Sequence, residues 1–306
     1  MIDFAKIEIS PDAAAYLFKC NELSFETYRN EDTAEQTHSM PRVAKHEGME
    51  FYYFPSGRMT LHGSWHKYYC GGRNYSDFSL AQFQCAVIKF CQTFKVSPDE
   101  LKILQLEFGV NIVPPIAPQQ VIDALVGNGK GNGFSEMRTN KGRSIGVNMY
   151  LTNYGVKIYD KGAQYGLPYP VLRIEKKYLK WCKYRSEFGI YTMANLIFPD
   201  AWAALCIDLM KTVGQLVIKE PSLDIEQMTL KEKYFITQIA DAKWWRKPLT
   251  PKKRLAAKKK YDRLLDKYGW YCLHSELLNC MTAKMHYLLS DDNKSGMFSM
   301  ESAHSD

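Results

Sequence analysis

The chain has 306 residues, 46% of them apolar and 13% aromatic, with a formal charge of +7. That length suits one large domain or two ordinary ones, and the composition excludes a disordered chain. The charge is uneven. Residues 243–268 hold eleven lysines and arginines against two aspartates, which leaves the rest of the chain close to neutral. A basic segment on a near-neutral body points to a polyanionic partner, nucleic acid before membrane.

The eight cysteines are scattered without a C-x-x-C pair, which argues against a structural zinc site and a small disulfide scaffold. They are expected to be reduced, as in a cytoplasmic protein. The opening MIDFAKIEIS lacks the cationic head and apolar run of a signal peptide. The most apolar stretch, Ala194–Ile218, is broken by Pro199, Asp200, Asp208 and Lys211, so no membrane span is expected.

In chain order, Lys6–Ile9 predicts a short first strand, followed by a polar stretch from Asn21 to Gly48 with little periodicity. Met49–Phe54 and Arg58–His66 predict a hairpin around Pro55-Ser56-Gly57. Its second strand alternates so that His62, Ser64 and His66 share a face. Asp77 or Ser79 caps a helix to about Phe94, with Leu80, Phe83, Val87, Phe90 and Phe94 on one stripe. Leu101–Ile112 predicts a strand with Leu104, Leu106, Phe108, Val110 and Ile112 on one face and Gln105, Glu107 and Asn111 on the other. A short helix over Pro118–Val126 follows. The glycine-rich GNGKGNG at 127–133 lacks the Lys-Ser/Thr ending of a phosphate loop and is expected to be a mobile hairpin loop.

Three strands then span Ile145–Lys180: IGVNMYLT, GVKIYDKG and VLRIEKKYLK. In the middle one, Val156 and Ile158 take one face, and Lys157, Tyr159 and Lys161 the other. From Met193 onward the pattern is helical: Met193–Ile218, Thr229–Trp245, Leu255–Lys267 and His274–Leu289. The expected organisation is a strand-rich body over 1–190, a helical, basic region over 191–289 and a disordered tail over 290–306. The fold class is α+β, with a mainly antiparallel sheet built from two ferredoxin-like halves and a helical C-terminal region.

If the polar strand faces share one side of one sheet, they gather His62, His66, Glu107, Lys157, Tyr159, Lys161, Arg173, Glu175 and Lys177. That set could activate a tyrosine nucleophile. A phenol has an ordinary pKa of about 10, and neighbouring lysines favour the phenolate and hold a phosphate. Carboxylates and imidazoles could hold Mg²⁺ or Mn²⁺.

LHGSWHKYYCGGRNYSDFSL, LQLEFGVNI, PQQVIDAL, VKIYDKG and LRIEKKYLK occur in an order that resembles the replication initiators of filamentous phages and related plasmids. This is the phage gene II endonuclease family, related to rolling-circle Rep nickases with an Arg-Ile-Tyr-Asp/Glu-Lys motif. The resemblance covers roughly residues 49–180. It implies a site-specific, Mg²⁺-dependent nick in double-stranded replication-origin DNA within a bacterial host. A tyrosine takes the 5′ phosphate and leaves a 3′-OH to prime synthesis. Matched by motif, the nucleophile falls on Tyr159, the adjoining lysine on Lys161, and acidic positions on Glu107 and Glu175. Where relatives tend to have His-Asn after Gly-Gly, this chain has Arg73-Asn74. The acidic strand position is Glu rather than Asp, and a His-hydrophobic-His triplet is missing.

The expected site set is therefore Tyr159, Lys161 and Lys157 for catalysis and Glu107, His66, His62 and Glu175 for metal. Arg173, Lys177, Lys252, Lys253, Arg254, Lys258, Lys259 and Lys260 are expected to contact DNA, including the displaced single strand, through bonds weakened by salt. A host helicase or polymerase would be a further partner. The alternatives are a non-catalytic single-stranded DNA or RNA binder that uses Tyr159, Tyr150 and Tyr154 as stacking platforms on an RRM-like sheet, and a conjugative relaxase.

Overall fold

The structure, a computed structural model, describes residues 1–27, 40–139 and 141–290. The tail expected to be disordered lies, from residue 291 on, outside the described residues, as does the middle of the polar stretch, residues 28–39.

The first half of the chain supplies β1 (Ile2–Ile9), α1 (Pro11–Leu17), β2 (Glu26–Thr27), β3 (Arg42–His46), β4 (Met49–Tyr53) and β5 (Met59–Ser64). It continues with α2 (Trp65–Tyr69), α3 (Leu80–Phe94) and β6 (Leu101–Ile112). Then come α4 (Pro118–Ala124), β7 (Leu125–Asn128), β8 (Ser135–Arg138), β9 (Ser144–Tyr150), β10 (Tyr154–Asp160), α5 (Lys161–Tyr165) and β11 (Leu172–Tyr178). The C-terminal part holds α6 (Arg185–Phe188), α7 (Met193–Leu196), α8 (Pro199–Gly214), β12 (Leu216–Ile218), α9 (Leu230–Ile239), α10 (Ala242–Arg246), α11 (Pro251–Tyr268) and α12 (Leu273–Leu289).

Ten strands form one antiparallel sheet in the order β2-β3-β4-β5-β1-β6-β11-β10-β9-β8. The α+β class, the large antiparallel sheet and the helical C-terminal region are as expected. The two halves are wired differently, however. Strands β4-β5-β1-β6, with α1 and α3 in the connections, have the ferredoxin-like order. Strands β9, β10 and β11 are instead consecutive neighbours, because the link from β10 to β11 holds only α5 and a short loop. A link that short turns a strand back beside its predecessor rather than across the sheet.

Local sequence explains the main helices. Ser79 and Gln82 form a reciprocal capping box at the start of α3, and Lys95 ends it in the left-handed region at φ 53°. The Phe83, Val87, Phe90 and Phe94 stripe is buried as predicted. Phe90 lies against Trp65 at 5.2 Å and Phe51 at 6.1 Å between ring centres. Trp202 of α8 meets Phe83 at 5.8 Å and Phe108 of β6 at 5.9 Å. Thus α3 and α8 cover the face of the sheet that carries Leu106, Phe108, Val110 and Ile112 of β6, and Glu107 and Asn111 project from the other. A bulge before Leu106 puts Leu101 and Ile103, rather than the expected Leu104, in the core.

The helices after residue 190 divide between two cores. Leu205 and Leu209 of α8 and Leu277 and Met281 of α12 belong to the main core beneath the sheet. A second cluster joins Ile236, Trp245, Ala257, Tyr261 and Leu264 of α9–α11 to Val126 and Val217 of the small β7–β12 sheet. Helix α11 begins at Pro251 behind a Thr250 cap, and its narrow stripe of Ala257, Tyr261 and Leu264 faces this cluster. No helix among the described residues is long and apolar enough to cross a membrane.

The glycine-rich loop is folded back on itself. The Asn128 Oδ1 accepts hydrogen bonds from the Lys130 and Asn132 amides at 3.1 and 3.0 Å. Gly131 sits at φ 93°, and a Cβ there would run into the Arg254 guanidinium of α11.

Phe108 is fully buried at the meeting of sheet and α8. Phe108→Ala should lower the unfolding free energy by about 3–5 kcal/mol, read from chemical denaturation.

Candidate active site

The registers of β6, β11 and β10 decide what meets on the polar face. Lys177 stands opposite Glu107 and Arg173 opposite Asn111 across β11–β6, and Lys157 stands opposite Glu175 and Tyr159 opposite Arg173 across β10–β11. Gly109 and Gly146 stand opposite Glu175 and Tyr159, and a Cβ at either would collide with those side chains. Seven of the expected residues depend on these pairings or follow directly from them: Glu107, Lys157, Tyr159, Lys161, Arg173, Glu175 and Lys177.

Arg173 is the hub. It is fully buried, and its Nη2 donates to Asp3 Oδ2 at 2.8 Å and its Nε to Glu175 Oε2 at 2.6 Å. Its Nη1 reaches Asn111 Oδ1 at 3.3 Å and the Asn74 carbonyl at 3.4 Å. Arg173 was expected to contact DNA, but it cannot, because its guanidinium is spent on these internal acceptors. Burial pushes the Glu175 carboxyl up, but Arg173 and Lys157 outweigh it and hold the group below its ordinary value. Asp3 is likewise held down, against burial, by Arg173 and by the hydroxyl of Ser64.

Around this hub, the Lys157 ammonium bridges Glu175 Oε1 at 2.8 Å and Glu107 Oε2 at 3.2 Å. Lys177 takes Glu107 Oε1 at 2.7 Å, so it too is less free for DNA than expected. The Tyr159 hydroxyl lies 3.5 Å from Glu175 Oε2 and 3.4 Å from Lys161 Nζ. Asn74 Oδ1 accepts from Lys161 at 2.8 Å and from the Tyr165 hydroxyl at 2.7 Å. The 70–77 loop is anchored from below, since Asn111 Nδ2 donates to the Tyr75 and Ser76 carbonyls at 3.0 Å each.

Tyr159 was expected on an open face with its phenolate favoured by lysines. Instead it is only 6% exposed. Burial first, with the nearby carboxylates adding, pushes its pKa well above 10, against the pull of Arg173. The lysines do not reverse this. Lys157 is neutralised by two carboxylates, and burial and Arg173 bring the Lys161 pKa down to about 7.

The histidines part company. Ser64 ends β5 and accepts from the Lys67 amide at 3.1 Å, so a helix starts at Trp65 and His66 leaves the strand face. His66 is buried against Phe78 at 4.7 Å with Nε2 3.2 Å from Ser76 Oγ, and its Nδ1 finds no partner among the described residues. His62 remains on β5, tilted against Tyr52 at 4.6 Å between ring centres with Nε2 3.1 Å from Thr60 Oγ1, and β1 and β6 separate it from β11. Burial lowers the pKa of His62 to about 4 and that of His66 to about 3. Of the expected set, Glu107 and Glu175 meet at the Lys157 ammonium but His62 and His66 do not join them, and among the described residues no three His, Cys, Asp or Glu side chains gather as metal ligands. Mg²⁺ or Mn²⁺ therefore does not fit this arrangement.

On α11, Lys252, Lys253, Lys259 and Lys260 are exposed, as a phosphate-binding surface requires. Two expected contacts differ: Arg254 turns inward to donate to the Lys247 carbonyl at 2.8 Å, and Lys258 pairs with Asp262 one helical turn on at 2.5 Å. Asp3, Asn74 and Tyr165 belong to the site but were not singled out from sequence. Asn74 alone had a signal, its place in the GGRNYSDF segment.

Removing the hub should be costly. Arg173→Met leaves Asp3 buried without a cation and strips one of the two from Glu175, and should destabilise the protein by about 3–5 kcal/mol in a denaturant titration.

No family model matches the chain, and no curated protein matches it. Among solved structures it is similar to a rolling circle replication initiator protein from Geobacillus stearothermophilus, at 9% identity and a TM-score of 0.43, over 78% of this chain and 96% of that one.

Proposed function

We propose that the chain is a DNA-nicking initiator of rolling-circle replication, with Tyr159 as nucleophile. The observation that carries this reading is the phenol of Tyr159 held 3.4 Å from Lys161 Nζ and 3.5 Å from Glu175 Oε2 beside the Arg173 and Lys157 charges, within the VKIYDKG motif. The Tyr159 oxygen attacks the scissile phosphorus, a phosphotyrosine O–P bond forms, and the bond from phosphorus to the 3′ oxygen breaks. The phenol proton passes to the neutral amine of Lys161, and the departing 3′ oxygen takes a proton from water. A phosphate oxygen replaces Asn74 Oδ1 as the acceptor for Lys161 once the proton has arrived. Lys252, Lys253, Lys259 and Lys260 hold flanking DNA phosphates.

A stacking platform has less support. Tyr159 is buried, and Tyr154 lies under Lys176 at 4.3 Å on the opposite face, which leaves Tyr150 alone exposed on the polar side.

The test mixes protein with supercoiled DNA carrying its origin and then denatures the mixture with detergent. A nicked circle bearing protein on its 5′ end is expected. Tyr159→Phe should abolish that adduct and still bind DNA; an unlinked nick, or an active Tyr159→Phe, would overturn the assignment. The rate should also depend on Lys161. Burial and the repulsion of Arg173 and Lys67 bring its pKa to about 7, opposed by Asp3 and Glu175. The neutral, proton-accepting amine therefore accumulates as pH rises through about 7. Single-turnover nicking should rise across that range and then level, and Lys161→Arg should remove the rise.

A further inference from the structure

Each carboxylate oxygen of the site already accepts from a cationic or polar side chain. Glu175 gives Oε1 to Lys157 and Oε2 to Arg173, while Glu107 gives Oε2 to Lys157 and Oε1 to Lys177. Asp3 is engaged by Ser64, Asn74 and Arg173. We propose that Lys157 is the resident cation of this carboxylate pair, standing where a divalent ion would stand, so that strand transfer by this chain needs no metal. The proposal deepens the nickase reading and rests on it.

The placement is built into the sheet. Lys157 is the direct cross-strand partner of Glu175, and Glu175 and Glu107 are carried by the adjacent strands β11 and β6. The ammonium is therefore set between two carboxylates by strand register, without the aid of any loop. Their side chains are 3% and 8% exposed, and buried carboxylates must be paired. Mg²⁺ or Mn²⁺ would demand several oxygens close around it. To bind here it would have to expel Lys157 and strip Arg173 or Lys177 as well. Lys157, Lys177 and Arg173 balance Glu107, Glu175 and Asp3, and the partly exposed Lys157 and Lys177 are the cations that an incoming phosphate meets. Metal catalysis stabilises the same negative charge as it grows on the phosphoryl oxygens.

Two measurements test this. In a Mn²⁺ titration of the full chain, with free ion followed by electron paramagnetic resonance, the wild type should show no saturable site below ~1 mM. Lys157→Met frees one oxygen on each glutamate and should tighten Mn²⁺ binding by ~10-fold or more. Nicking of origin DNA by the wild type should survive EDTA within about threefold. A stoichiometric Mn²⁺ site in the wild type that Glu175→Gln removes would overturn the proposal, as would complete loss of nicking in EDTA with recovery on adding Mg²⁺. The binding measurement is independent of activity. A protein that nicks under no condition and binds no Mn²⁺ refutes the nickase reading and leaves the lysine as the pair's cation.

Discussion

The site depends on one buried guanidinium. Moving a charge out of water costs several kcal/mol even after relaxation, so Arg173 is tolerable in the sheet only because acceptors surround it. Asp3 comes from β1, Glu175 from β11 itself, Asn111 from β6 and a carbonyl from the 70–77 loop. Three other segments, β1, β6 and the 70–77 loop, are thus tied to one side chain of β11. The same bonds hold Asp3 and Glu175 ionised, Glu175 in turn holds Lys157, and Asn74 links the hub to Lys161 and Tyr165. Loss of the guanidinium would therefore undo both the local packing and the charge pattern around Tyr159.

Strand alternation made much of this readable in advance. The period of two in β6, β10 and β11 placed Glu107, Lys157, Tyr159, Glu175 and Lys177 on one face, and the sheet order did bring those strands together. What alternation cannot convey is what lies above a face. The cover over Tyr159 comes from Asn74, 85 positions earlier in the chain, and from Lys161 and Tyr165 after the strand. Burial turned an exposed phenol between two free lysines into a sealed phenol beside one paired and one weakly basic lysine.

The histidine pair failed for a local reason. Continuing the strand to residue 66 put His62 and His66 on one side, but Ser64 is an N-cap, and the residues after it wind into a helix. The serine was the available signal, overridden by an apparent alternation of small and aromatic residues. The C-terminal helices were readable as helices but not as to partners. Nothing in their stripes distinguishes α8 and α12, which back the main sheet, from α9–α11, which close on β7 and β12. Arg254 shows the same limit. As a sequence position it is one more cation in a basic run, yet it faces Gly131, where the missing side chain admits its guanidinium.

For the proposed nucleophile, being sealed and protonated has a chemical use. A free phenolate beside three cations would be a standing liability, open to stray electrophiles and expensive in desolvation. In this site Glu175 and Lys161 are both within reach of the hydroxyl, yet neither takes the proton at rest: the carboxylate is held ionised by Arg173 and Lys157, and Lys161 is partly protonated and donates to Asn74. A phosphate entering beside Lys157 and Lys177 adds negative charge and offers Lys161 a new acceptor. In the proposed reaction Lys161 turns from Asn74 to that acceptor only after it has taken the Tyr159 proton. On the proposed reading, the raised pKa of Tyr159 keeps the phenol protonated until a phosphodiester is in place, so that attack and proton transfer to Lys161 go together.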